Sequence, residues 1–477
     1  MSIPAGQQIL TLVNEVKILF RYSIYLVPLC IAIVLFGIFG FNGYYGQDSH
    51  EYLRLATAFK GSGFQQDALT DFHWPLVYPL AGILISFLGI PLKWSLVVVS
   101  FLAACGTLWI LKKLIEQLYK TDATIWLLLA ACSQVYFIRG GILAMSDMLC
   151  CFFVLLSYYH YFRYREHGHW RFMVFLTGAA TAAFFTRYAA VPLLIPPLLA
   201  GFTLVFRSRR VALKIAAVLF LSAAVELILW SSDRFFAVGI DIWKQWSWEN
   251  VFALQAEEES GVLLRTVPNG LYIFGNFFHI GFLAIGTLLL PFYRQVLREK
   301  VVWFGSLLYL ALLVGLSTQN YRFLMVLHPL VLLLLFPAFR GLSDWLKGKR
   351  LFTIFVLGVL VFNAAFFVYS FRKTYAVFAT ERKVAQAILE LTEDVPIYSF
   401  YVDQSFPSYG IQNEVRNLYL SRYETFESGA LLVYNPKEFT EQWGNTNVGL
   451  NWKKLNEEYL LDTLQRIDGN WRIYRIH

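Results

Sequence analysis

Charge is scarce in this sequence. Asp, Glu, Lys and Arg together make up 15% of its 477 residues. A soluble chain of this length carries nearer a quarter, so a large water-facing surface is excluded. Cysteine is also scarce. Cys30, Cys105, Cys132, Cys150 and Cys151 all lie inside apolar runs. They form no C-x-x-C metal spacing and no disulfide framework, and read as small packing residues. There is no nucleotide-binding signature, internal repeat or low-complexity stretch. A cleavable leader is not expected either. Lys17 and Arg21 precede an apolar run, Ile24 to Phe41, with no small-residue cleavage site, so that run reads as an uncleaved first span.

Apolar length is what the chain has. Hydrophobic residues make up 57%, and mean hydropathy is +0.53. Several runs reach about 17–20 residues, enough for a helix to cross a bilayer core of roughly 30 Å. Aromatics make up 18%, with 14 Trp and 27 Tyr, which suits anchoring at membrane interfaces. The net charge of +8 is therefore read as cytoplasmic loop charge and not as nucleic-acid binding.

Eleven spans are expected, at about 24–41, 94–111, 124–138, 146–162, 171–187, 189–206, 211–230, 271–292, 301–316, 322–339 and 351–371. The apolar piece 76–90 is short and contains Pro79 and Gly82. Counted as a span, it would reverse everything after it. Loop charge decides the matter. With 76–90 in the outer interface and a cytoplasmic N-terminus, the short inside segments hold nineteen Lys and Arg, among them Lys112, Lys113, Arg207, Arg209, Arg340 and Lys349. The longer outside segments before the C-terminal region hold nine: Arg54, Lys60, Lys93, Arg139, Arg187, Arg234, Lys244, Arg265 and Arg322. The positive-inside rule favours this arrangement. It makes 76–90 an interfacial or half-inserted helix and puts the C-terminus outside.

The expected organisation is a polytopic all-α membrane domain over 1–371, with outer loops 42–93 and 231–270, and a small extracytoplasmic α/β domain over 372–477. In the latter, 381–394 has helical periodicity. Strand-like runs come after it at 397–402, 430–434 and 471–476, with a polar helix near 455–467. The run Glu257, Glu258, Glu259 reads as a solvated face. A compact outer domain and the lack of a retention signal point to a bacterial inner membrane.

The first outer loop reads Gly43-Tyr44-Tyr45-Gly46-Gln47-Asp48-Ser49-His50-Glu51-Tyr52. A carboxylate at Asp48, close to the outer surface, can act as a general base or help hold a cation. Glu51 lies one helical turn on. Asp48 capping a helix that starts near Ser49 is the plainer alternative. His73 falls just before Pro75, a plausible helix start. It can bind an anion, or simply pack in a loop. Arg139 and Asp147 flank the turn between two spans. A carboxylate at that depth tends to face a protein cavity, although Ser146 or Asp147 could instead cap the helix. Arg187 and Arg322 fall at outer span ends. Their forks match phosphate oxygens, or they snorkel to headgroups. No metal site is assigned; a divalent cation remains open. Under this topology all seven residues fall at one membrane face, a set that suits reaction on a lipid phosphate.

At these residues the sequence resembles the GT-C membrane glycosyltransferases, and most of all the branch of protein O-mannosyltransferases and lipid A aminoarabinose transferases. Gln47-Asp48-Ser49-His50-Glu51-Tyr52 is similar to that family's acidic motif, with Ser49 in place of the adjacent acid. His73-Trp74-Pro75-Leu76 resembles its His-Pro-Pro-Leu motif, with Trp74 in place of the first Pro. Ser146-Asp147-Met148-Leu149 and Tyr321-Arg322-Phe323-Leu324, with His328-Pro329 just beyond, resemble later motifs. The resemblance covers about 20–340. It implies a polyprenyl-phosphate sugar donor and a lipid, glycan or protein acceptor. Asp48 would deprotonate the acceptor for inverting attack, and Arg187, Arg322 and Arg139 would hold the leaving phosphate. A transporter or flippase of lipid-linked glycans is the alternative. Such proteins tend to show internal repeats, and none is evident here.

Overall fold

The computed structural model describes residues 21–62, 75–206, 222, 244–258, 261–264, 268–296, 299–316, 320–346, 349–391, 393–444, 446–467 and 470–477. In chain order the main helices are α1 (Arg21–Ile38), α2 (Gly46–Ser62), α3 (Val77–Ser86), α4 (Leu92–Tyr119), α5 (Thr124–Cys132), α6 (Val135–Ile142), α7 (Asp147–His167), α8 (Trp170–Phe184), α9 (Tyr188–Phe206), α10 (Lys300–Val314), α11 (Tyr321–Trp345) and α12 (Lys349–Leu391). The described residues form two compact units. One holds α1, α3 to α11 and α12 up to Ser370. The other holds α2, the short segment Glu257–Leu264 and the chain from Phe371 to His477, which includes the rest of α12.

Among the described residues, five helices are long and apolar enough to cross a bilayer: α1, α4, α9, α11 and α12. The α5–α6 pair makes a sixth if it is counted as one span. It is bent by 74°, within the stretch expected as one span over 124–138. α7 has 21 residues, about 31 Å at 1.5 Å per residue. α8 and α10 have 15 residues each, about 22 Å. α3 has only 10, about 15 Å and half a bilayer core. The proposed span 211–230 lies outside the described residues apart from Ser222. The proposed span 271–292 is not a continuous helix. It is a chain of short helical turns, Asn269–Phe274, Gly275–Phe278, Ile280–Phe282, Ile285–Leu288 and Leu289–Phe292. Leu283 and Ala284 have positive φ (61° and 46°), which a helical ladder cannot accommodate. Gly281 is packed so closely that a Cβ would strike Tyr136.

The membrane unit is centred on α11. Leu324, Leu327, Leu330, Val331, Leu333 and Leu334 are all fully or almost fully buried. α12 is the opposite case, exposing Leu351, Ile354, Leu357 and Val361, as a lipid-facing helix does. Its inward anchor is Asn363. The amide donates to Leu129 O (3.0 Å) and Ser133 Oγ (2.7 Å) at the α5–α6 break. A bend frees backbone carbonyls that must be re-satisfied inside a membrane, and Asn363 does this.

The second unit carries a five-stranded mixed sheet. A hairpin, β1 (Gln255–Glu258) and β2 (Gly261–Leu264), comes earlier in the chain and contains part of the acidic run. The sheet strands are β3 (Ile397–Ser399), β4 (Val415–Asn417), β5 (Leu431–Tyr434), β6 (Leu461–Arg466) and β7 (Arg472–Ile476), in the order β4-β3-β5-β7-β6. β3 runs parallel to β4 and β5, while β7 runs antiparallel to β5 and β6. Leu431 to Tyr434 are all buried, as expected for a central strand covered on both faces. Val384 and Ile388 of α12 pack into this core. Two helices, α13 (Pro436–Trp443) and α14 (Asn447–Glu458), complete the unit. The polar helix expected near 455–467 is corrected. Helix ends at Glu458, and 461–466 forms the edge strand β6, because β7 supplies an antiparallel partner that local pattern does not reveal.

Candidate active site

In the membrane unit, α7 begins at Asp147, whose residue is only 3% exposed. The turn before it is fixed from behind. Tyr78 Oη lies 2.9 Å from Leu96 O and 2.8 Å from Ser100 Oγ, which lies 3.2 Å from Met145 O, so the two hydroxyl protons are shared along this chain. Ser146, at the N-cap position, makes no side-chain capping hydrogen bond, and Asp147 lies in the helix's first turn. Arg187 lies in extended backbone between α8 and α9 (φ −161°), and its guanidinium donates to Asp147 Oδ1. Arg322 enters from the first turn of α11. Its Nε and Nη2 lie 3.2 and 3.1 Å from Asp147 Oδ2. Asn320 caps that helix, accepting from Arg322 N at 3.0 Å, which fixes where the arginine starts. Arg187 Cζ also sits 5.0 Å over the Phe323 ring, a cation–π placement.

Three of the residues singled out in the sequence, Asp147, Arg187 and Arg322, thus meet in one cluster. Two guanidiniums share one carboxylate, leaving one net positive charge. Asp147 is therefore placed to aim the arginines, which are the groups able to grip a phosphate. Arg139 belongs to α6, part-buried. His73 lies outside the described residues. The same unit contains an apolar cavity of about 430 Å³, lined by Trp126, Leu129, Phe339, Phe355 and Phe362 among others.

In the second unit, α2 begins at Gly46, earlier than expected, so Asp48 lies in its first turn. An acid there complements the helix dipole. Glu51 is held by Arg54, whose Nε lies 3.1 and 3.0 Å from the two carboxylate oxygens. Sequence reasoning missed Asp403, in the 3-10 helix Asp403–Tyr409. It is 6% exposed and accepts from Asn417 Nδ2 at 2.6 Å. Burial raises its carboxyl above the usual range, and the nearby Glu51 charge adds to that. No local signal could have marked it, because its burial comes from the folded second unit. Among the described residues, no group of three or more His, Cys, Asp or Glu side chains could hold a metal ion.

Comparison with known proteins agrees with this architecture. The crystal structure of ArnT from Cupriavidus metallidurans bound to undecaprenyl phosphate matches 96% of this chain and 97% of its own, with a TM-score of 0.61 and 13% identity. The apo structure of the same protein matches 98% of each chain, with a TM-score of 0.57 and 12% identity.

The chain has the GT-C fold.

Residues 73–232 also match a family described as dolichyl-phosphate-mannose-protein mannosyltransferase. That stretch of the GT-C fold includes Arg139, Asp147 and Arg187. No curated protein matches the sequence. The resemblance drawn from the motifs is thus borne out, as is the fold class of membrane helices with a small C-terminal α/β domain.

Proposed function

We propose that this protein is an integral membrane glycosyltransferase. It moves a sugar from a polyprenyl-phosphate donor to an acceptor at the extracytoplasmic face of a bacterial inner membrane. The reading is carried by the Arg187–Asp147–Arg322 cluster, within a fold shared with an ArnT structure that holds undecaprenyl phosphate. Asp48 takes a proton from the acceptor nucleophile, which attacks the anomeric carbon with inversion. The bond to the lipid phosphate breaks, and its charge passes to Arg187 and Arg322, with Arg139 contributing. Glu51 assists Asp48 in the catalytic step, and His73 contributes to substrate binding. The prenyl chain lies against apolar helix faces, for which the 430 Å³ cavity offers room. The N-terminus is cytoplasmic and the C-terminus outside.

Binding tests this reading. Undecaprenyl phosphate should bind the purified protein, and Arg187→Ala or Arg322→Ala should each weaken it by about tenfold or more, the value of one charge-assisted hydrogen bond. Unchanged affinity in both variants would remove the phosphate role. The bend between α5 and α6 is a feature a lipid-glycan flippase would share. A flippase would move the labelled lipid across proteoliposomes without releasing its sugar.

A further inference from the structure

The second unit holds a buried polar array that the transfer chemistry leaves unused. His50 Nδ1 lies 2.8 Å from Ser408 Oγ, and His50 Nε2 lies 3.4 Å from Glu381 Oε2. His50 is 2% exposed and Glu381 1%. The Tyr44 ring closes over the imidazole at 5.4 Å. The three polar side chains come from α2, α12 and the 3-10 helix Asp403–Tyr409, segments far apart in the sequence. Stripping water from a carboxylate and an imidazole is costly. Such a pair is weak evidence for added stability, and its best-attested use is to fix one register of packing.

The geometry of α2 shows what would be fixed. Its apolar contact face is Tyr52, Leu55, Ala56 and Phe59, all buried. At about 100° per residue, His50 projects from roughly the opposite side of the helix. The first turn of α2 is therefore gripped on two sides. Asp48 lies in that same turn, so a rotation or shift that releases His50 also displaces the Asp48 carboxylate.

We propose that Ser408, His50 and Glu381 position Asp48 for proton abstraction, an inference that rests on the reading of Asp48 as the base. They are positioning residues, and none needs to touch substrate. The test uses the full-length protein and a panel of radiolabelled undecaprenyl-phosphate hexoses and pentoses, with sugar release as the readout. His50→Ala, Glu381→Gln and Ser408→Ala should each lower kcat, by up to roughly 100-fold for a displacement near 1 Å. The donor KM should stay within about twofold, since ground-state binding is untouched. His50→Gln, whose amide can still bond both neighbours, should recover part of the loss. In an Asp48→Asn background the same substitutions should add almost nothing, because both act through one group. Losses that add to Asp48→Asn, that fall on KM alone, or that track the drop in thermal midpoint with no rescue by His50→Gln would overturn the inference. If His50→Ala does not fold, Ser408→Ala, which leaves the His50–Glu381 pair intact, carries the same comparison. A wild-type protein that releases sugar from none of the panel overturns the glycosyltransferase reading and this inference with it. Wild-type turnover with positioning variants at full rate overturns this inference alone.

Discussion

Asp147 carries one negative charge between two guanidiniums that keep 15% and 17% of their side-chain surface in solvent. Removing that charge takes away the carboxylate that the two cations share. Asp147→Asn is expected to cost about 3 kcal/mol, the low end for a broken buried pair because the arginines remain partly wet. A lowered thermal midpoint in detergent checks this; an unchanged midpoint would contradict it. Asp403 gives a pH signature. An acid raised on folding is protonated in both states at low pH. Once the unfolded chain begins to ionise, stability falls until the folded group ionises too, and is flat above that. The wild-type protein should therefore lose stability as pH climbs from the ordinary carboxylate range to the raised value of Asp403. Asp403→Asn, which can still accept from Asn417, should flatten that part of the melting curve. Both residues show how far sequence reaches at this scale. Asp147, Arg187 and Arg322 are legible as polar groups at span ends, because charge in an apolar run is conspicuous. Their mutual pairing is not legible. Nor is the His50 array, since Glu381 and Ser408 stand in unremarkable polar surroundings more than three hundred residues away.

The α5–α6 bend shows where apolar composition stops being informative about an element. Hydropathy gives one apolar span over 124–138, and composition alone does not distinguish a straight helix from a broken one. Asn363 marks the break from the other side, bonding Leu129 O and Ser133 Oγ. Asn363→Leu removes both of these bonds and leaves Leu129 O to the Ser133 hydroxyl at 3.1 Å, so a loss of about 1–2 kcal/mol is expected in thermal unfolding. A neutral result would mean the bend is held elsewhere. Helix α3 is legible for a physical reason, as Pro79 and Gly82 sit in a run too short to cross. The strands β3, β5 and β7 are legible as short runs rich in β-branched, aromatic and aliphatic residues, while β4 and β6, at the sheet edges, are not. Edge strands take their order from the partner and not from their own composition.

For the whole molecule, the fold class is legible because membrane insertion is written in apolar length and loop charge. The proposed outward orientation of the site is argued from the same loop charge. Reporter fusions after Lys120 and after Phe371 should report the cytoplasmic and extracytoplasmic side respectively. An outside signal after Lys120 would make 76–90 a span and would separate Asp48 from Asp147. The most direct measurement on the central claim is turnover by the purified protein with radiolabelled polyprenyl-phosphate sugars. Wild type is expected to release or transfer the sugar, and Asp48→Asn to lose at least about 100-fold of that rate, as removal of a general base does. Full activity in Asp48→Asn would contradict the account.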